Sequence, residues 1–210
     1  SEGSLYLIKM QIKKRMSDVL DYYQNQDFLR RIIVECEGNK NPIYRPNCNP
    51  LSMCSIKLTN GESVKMGGIL DRVDRDGDSY FIIDYKTGAR PEIPDIKKFD
   101  INKREEWLKT LKSVQLPSYL IIYLSNNPEI TIENINAGLM ILGGKEIEEK
   151  YLFSKDDEKD AFEHLKRGVL MLIEEILNPD IPFMPAIDTK ECSYCEFNVI
   201  CGRQWVEKGW

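Results

Sequence analysis

The chain has 210 residues, enough for one domain with a sizeable core. Its 29 basic residues against 34 acidic ones leave a net charge of -5, which argues against a dedicated, tight binder of duplex DNA, since such domains present a basic face. No apolar run approaches the roughly 20 residues needed to span a bilayer and no signal peptide is visible, and six cysteines suit a reducing compartment better than a secreted disulfide framework, so a soluble cytoplasmic protein without membrane contact is expected.

In chain order, apolar residues recur at helical spacing over 5–23. Residues 28–36 fit a second helix or a strand leading into a sheet, and 39–50, rich in Asn and Pro, read as loop. Short strands at 55–58 and 63–67 flank Thr59-Asn60-Gly61-Glu62, a hairpin signal. A second hairpin follows: Gly68-Ile69-Leu70-Asp71-Arg72-Val73-Asp74, an acidic Asp76-Gly77-Asp78 turn, then Phe81-Ile82-Ile83-Asp84-Tyr85-Lys86-Thr87-Gly88. Asp and Gly are expected to supply the positive backbone angles of that turn. The run Phe81, Ile82, Ile83 suits a strand buried on both faces. Beyond it, 91–103 reads as a charged loop, 114–124 as a helix, 135–142 as a buried strand, and 150–153 as a short strand. A long helix over 155–177 has a Ser154 cap and an Asn178-Pro179 stop. The expected fold is α/β, a mixed central β-sheet flanked by helices, with no internal repeats.

The second hairpin carries the chemistry. Each strand delivers a carboxylate, Asp71 and Asp84, and Lys86 follows two residues after the second. Side chains alternate along a strand, so Asp84 and Lys86 share a face while Tyr85 points away. Magnesium takes hard oxygen ligands and keeps several waters, so Asp71, Asp84 and the backbone carbonyl of Tyr85 are candidate ligands. Divalent ions neutralise a phosphodiester and lower the pKa of bound water, and an ammonium at Lys86 would stabilise charge growing on phosphoryl oxygens. A calcium loop is the rival reading of Asp74, Asp76 and Asp78. It needs Gly at the sixth position and Glu at the twelfth, where this chain has Ser79 and Tyr85.

These blocks resemble the PD-(D/E)XK nucleases of the RecB and AddB branch. A third block of that branch, Gln followed four residues later by Tyr, is matched by Gln115 and Tyr119, which share a helix face. Pro117 between them requires that the helix begin near Val114 or Gln115. The resemblance implies a restriction-endonuclease-like core, Mg2+ or Mn2+ as cofactor, and DNA exonuclease activity in recombination or repair. It also implies that Gln115 and Tyr119 help position Lys86 or the DNA backbone. Lys97, Lys98, Lys103 and Arg104, with Lys109 and Lys112 nearby, are candidate contacts to the DNA phosphates, with a solvated loop as the competing reading. The DNA partner would be a single strand or a duplex end fed by a helicase domain or subunit.

At the other end, Cys192, Cys195 and Cys201 form a C-x2-C-x5-C cluster within the Cys-rich segment 186–205. Three such thiolates suggest zinc or an iron-sulfur cluster with a fourth ligand from elsewhere. In the family that ligand is an upstream cysteine completing a [4Fe-4S] cluster, and Cys36, Cys48 and Cys54 do not stand in its expected context. The competing reading is a tight turn that packs Phe197 and Trp205 against the core. The branch also contributes a His or Glu from a helix ahead of the hairpin. The single histidine, His164, lies downstream and reads as helix surface, and Glu35 and Glu37 are the nearest upstream carboxylates. Residues 1–210 are therefore expected to be one nuclease-like domain, the C-terminal fragment of a longer helicase-nuclease protein. Two other classes compete: an inactive nuclease-fold module that binds DNA or a partner, and a structural Cys-cluster module.

Overall fold

The computed structural model describes residues 2–25, 31–34, 51–88, 91–154, 158–185, 189–193 and 195–206. The expectations for the loop 39–50, for Glu35 and Glu37, and for Cys36 and Cys48 lie outside these residues. The chain divides into two compact units, Ser1–Leu172 and Ile173–Trp210.

In the first unit a long helix, α1 (Glu2–Gln24), precedes a short strand, β1 (Arg31–Val34), so the ambiguous segment 28–36 supplies a strand. Next, β2 (Leu51–Lys57) and β3 (Ser63–Gly68) form a separate two-stranded hairpin. Its loop is closed by the Leu58 amide donating to the Glu62 carbonyl, and Gly61 takes the positive φ of 89° that the turn needs. Asp84, Tyr85 and Lys86 sit on β5 (Ser79–Lys86), which pairs antiparallel with β4 (Arg72–Asp76), the strand that begins just after Asp71; Asp76 faces Ser79 across a two-residue loop. Gly77 alone carries a positive φ there, 58°, the pattern of a turn with Gly in its first central position. The expected contribution of Asp to that backbone angle is therefore corrected.

The connection from β5 passes through α2 (Trp107–Thr110) and α3 (Gln115–Asn126) to β6 (Ile135–Ile141), which lies parallel to β5. A parallel pair needs such a crossover, because the chain must return to the starting end of the sheet. β7 (Glu148–Tyr151) adds an antiparallel edge, and α4 (Glu158–Leu177) follows. The main sheet has the order β1-β4-β5-β6-β7, a mixed sheet flanked by helices as expected. Its centre is apolar: Val73, Ile82, Ile83, Ala137, Leu139, Met140 and Ile141 are all but completely buried. α3 covers this centre with Leu116, Leu120 and Ile121 while also packing on β2 and β3.

Pro117 occupies the third position of α3, where the backbone N–H would lack an intrahelical acceptor in any case. The segment 91–103 departs from a free charged loop. Phe99, Ile101, Trp107 and Leu111 are buried, the Trp107 Nε1–H donates to the Asp100 carbonyl at 3.1 Å, and the Asp95 amide donates to the Thr110 carbonyl at 2.7 Å. Four scattered apolar residues thus anchor a stretch whose composition is mostly polar.

Gly138 on β6 faces Tyr151 on the edge strand. A Cβ added at Gly138 would lie 2.8 Å from the Tyr151 ring and 2.9 Å from the Lys150 carbonyl oxygen, and the latter moves only if β7 moves. Gly138→Ala is expected to lower unfolding free energy by about 1–3 kcal/mol in urea denaturation, the usual range for overpacking. An unchanged midpoint would show that β7 yields freely.

Candidate active site

Because β4 and β5 run antiparallel, Asp71, immediately before β4, and Asp84, near the end of β5, come to the same end of the hairpin. Asp71 Oδ2 accepts a hydrogen bond from the Tyr85 backbone amide at 2.9 Å, which ties the loop carboxylate to the strand carrying the second one. Asp84 and Lys86, two residues apart on β5, face α3 together. The Lys86 Nζ lies 2.7 Å from Asp84 Oδ2. The Gln115 carboxamide spans the pair: its Oε1 accepts from Lys86 Nζ at 2.7 Å and its Nε2 donates to Asp84 Oδ1 at 2.8 Å. The same nitrogen donates to the Tyr119 hydroxyl at 2.9 Å, one helical turn on. The five side chains singled out from sequence therefore converge on one place. The amide can be oriented only one way, with oxygen toward the cation and nitrogen toward the carboxylate.

Burial pushes the Asp84 carboxyl above its ordinary value and the nearby Asp71 carboxylate adds to this, while the Lys86 ammonium acts in the opposite direction. Burial likewise raises the Tyr119 phenol, so it stays neutral. A carboxyl raised in the folded state keeps its proton more tightly there than in the unfolded chain. Folding therefore loses stability as pH rises from the ordinary carboxylate range through the folded pKa. Asp84→Asn, which stays neutral, is expected to melt above the unmutated chain at pH 7 in EDTA, with the difference closing as pH falls toward 3. Equal melting temperatures at pH 7 would contradict the raised pKa.

The sequence profile of the PD-(D/E)XK nuclease superfamily matches residues 5–202, nearly the whole chain. The chain belongs to the PD-(D/E)XK nuclease superfamily. That superfamily is one of nucleases, enzymes that hydrolyse phosphodiester bonds. No curated protein matches. A solved structure titled "Crystal structure of SSO0001" is similar at 20% identity over 71% of this chain. Its TM-score is 0.34, and this chain spans 56% of that one, just over half its length.

PD-(D/E)XK nucleases generally use Mg2+ or Mn2+. Among the described residues no three His, Cys, Asp or Glu side chains gather as a metal centre. Two features nevertheless suit such an ion. Asp84 Oδ2 is buried against the Lys86 ammonium at 2.7 Å, a place where positive charge is favoured. The oxygens at hand, two carboxylates and the Tyr85 carbonyl, are hard donors of the kind magnesium and manganese take.

The other predicted residues in this nuclease-superfamily chain make contacts of their own. Lys98 pairs with Asp95 at 3.0 Å, Lys103 lies 4.0 Å from Asp100, and the Arg104 guanidinium stacks over the Trp107 ring at 4.9 Å. Lys97 lies in the same exposed stretch. His164 is half-buried rather than free surface. Its Nε2 is 3.0 Å from the Phe99 carbonyl oxygen, and its ring meets that of Phe99 edge-on. Cys54 is buried in β2 with its thiol 3.5 Å from the Met66 carbonyl oxygen, a core role. In the second unit Cys192, Cys195 and Cys201 are free thiols, and Arg203 donates to Cys192 Sγ at 3.9 Å. Phe197 and Trp205 are exposed. A cleft of about 480 Å3 beside Ile56, Ile121, Phe162 and Leu170 is lined by none of the candidate residues.

Sequence reasoning assigned no role to Arg72 and weighed Asp74 only as a calcium ligand; the two flank Val73 on β4. They form a buried bidentate pair, with Nε to Oδ1 at 2.5 Å and Nη2 to Oδ2 at 2.8 Å. Arg72 Nη1 also donates to the Tyr23 hydroxyl at 2.6 Å and the Tyr85 hydroxyl at 3.2 Å. The signal was the i, i+2 spacing of opposite charges on β4, which places both on the face that Tyr85 shares.

Proposed function

We propose that the chain is a Mg2+- or Mn2+-dependent DNA exonuclease domain of the RecB and AddB type, serving recombination or repair beside a helicase domain or subunit. The observation that carries this reading is the Gln115 amide joining Lys86 to Asp84, with Asp71 tied to the adjoining Tyr85 peptide. Asp71, Asp84 and the Tyr85 carbonyl would hold the ion. When bound, the ion neutralises phosphate charge and lowers the pKa of an attacking water. The Lys86 ammonium, held beside Asp84, would stabilise charge growing on the phosphoryl oxygens. Gln115 Oε1 keeps the ammonium from swinging away, and Tyr119 holds the Gln115 amide. Lys97, Lys98, Lys103 and Arg104 contact the backbone phosphates without reading bases. Their local ion pairs fit a weak grip that salt abolishes, suited to DNA delivered by a motor. Cys192, Cys195 and Cys201 are proposed to ligate a [4Fe-4S] cluster or zinc with a fourth ligand from elsewhere. Anaerobic purification with an absorbance scan and metal analysis tests that part.

The function is tested by incubating the chain with linear end-labelled single-stranded DNA and with closed circular single-stranded DNA, in Mg2+, Mn2+ or EDTA. Metal-dependent loss of the linear substrate with intact circles is expected. Cutting of the circles overturns the exonuclease mode, and cleavage that persists in EDTA overturns metal dependence.

A further inference from the structure

The two faces of the β4–β5 hairpin are chemically distinct. Asp84 and Lys86 face α3, whereas Arg72, Asp74 and the Tyr85 side chain lie on the face toward α1. Tyr85 belongs to both. Its backbone amide holds Asp71 at 2.9 Å on the active-site side, and its hydroxyl accepts from Arg72 at 3.2 Å on the other. Arg72 is fixed from three directions: by both oxygens of Asp74, by the Tyr23 hydroxyl, and by the Tyr23 ring 4.4 Å beneath the guanidinium. Tyr23 in turn comes from α1 and lies 3.5 Å from the sulfur of Met140 on β6, whose register partner across the parallel pair is Tyr85. The arrangement closes a ring of contacts through α1, β4, β5 and β6 around one residue.

From this geometry we infer that Arg72, braced by Asp74 and Tyr23, is a positioning residue for the metal-binding end of the hairpin. It acts through the peptide of Tyr85 from behind the sheet. The bidentate pair alone would satisfy both charges. The additional bonds from the third guanidinium nitrogen go to the two tyrosines, one from the helix and one at the site, so the fork joins them instead of merely neutralising Asp74. Fixing the Tyr85 side chain limits rotation of its peptide. That fixes the direction of its carbonyl and the place of the Asp71 carboxylate it holds. Small displacements of this kind are costly, because reacting groups and ligands need placement to within about 0.5 Å. The inference rests on the proposed metal site.

The test is manganese binding, followed by the loss of the free-ion paramagnetic resonance signal, with no DNA present. The unmutated chain, Asp84→Asn, Tyr85→Phe, Arg72→Lys and a packing control, Leu165→Ala in α4, are compared well below their melting temperatures. Tyr85→Phe removes only the hydroxyl, and Arg72→Lys keeps the charge but loses the fork. Each is expected to weaken manganese about fivefold or more, while Leu165→Ala lowers the melting temperature and leaves the affinity unchanged. Manganese affinity unchanged in both Tyr85→Phe and Arg72→Lys, with Asp84→Asn abolishing binding, overturns the positioning role and leaves the metal site standing. No binding by the unmutated chain, or binding that Asp84→Asn leaves intact, overturns the metal site and this inference with it. An affinity lost equally in Leu165→Ala assigns the effect to general loosening and also overturns the positioning role.

Discussion

Asp84→Asn is expected to lower magnesium-dependent cleavage of single-stranded DNA by about 10³-fold or more while leaving the chain folded. Charge stabilisation at a reacting phosphate is commonly worth about 10²–10³ per group, and loss of a carboxylate that also holds the ion adds to it. The substitution is nearly isosteric, so the Gln115 Nε2 bond at 2.8 Å can still find an oxygen, and the fold has no reason to collapse. What disappears is the negative charge on a side chain that is only 5% exposed. Lys86 then loses its counter-charge and the ion loses its most buried candidate ligand. The readout is the rate of release of a labelled nucleotide, with circular dichroism confirming the fold. Retention of more than a tenth of the rate would remove Asp84 from the chemistry.

The second large effect lies on the opposite face. Asp74→Ala is expected to cost about 3–5 kcal/mol of unfolding free energy, because it strands the Arg72 guanidinium in a site where water cannot replace the lost carboxylate. Asp74 is fully buried and Arg72 nearly so. The two tyrosine hydroxyls accept hydrogen bonds from Arg72 but carry no charge to balance it. Burial pushes the Tyr23 phenol well above its ordinary value despite the adjacent guanidinium, so it does not ionise to take the place of Asp74. Replacing both members of the pair by apolar residues of similar size should cost much less than the single change, as is common for buried ion pairs. Urea denaturation of the single and double variants reads this directly. A single-variant loss below about 1 kcal/mol would mean that water reaches Arg72.

The sequence made the active-site cluster legible because each of its members obeys a local rule. Asp84 and Lys86 share a face by strand alternation, Gln115 and Tyr119 by helical spacing, and Pro117 marks where α3 begins. Asp71 and Asp84 meet because a hairpin returns the chain to the same end. None of these requires knowing how distant segments pack. The Arg72–Tyr23 contact does, since it joins residues 49 positions apart through the docking of α1 on the sheet. For the same reason the strand at 31–34 could not be separated from a short helix: its pairing with β4 decides it. The stretch around α2 was opaque because its anchors, Phe99, Ile101, Trp107 and Leu111, follow no single period. Lys112 adopts a left-handed backbone with φ 53°, just before α3, and nothing in its residue type announced that.

The most direct test of the account is a crystal structure of the chain with Mn2+ and a short single-stranded oligonucleotide whose backbone resists hydrolysis. The expected result is anomalous density within about 2.1 Å of Asp84 and Asp71 oxygens, with a backbone phosphate opposite, beside the Lys86 ammonium. Manganese and phosphate bound away from Asp71, Asp84 and Lys86 would contradict it.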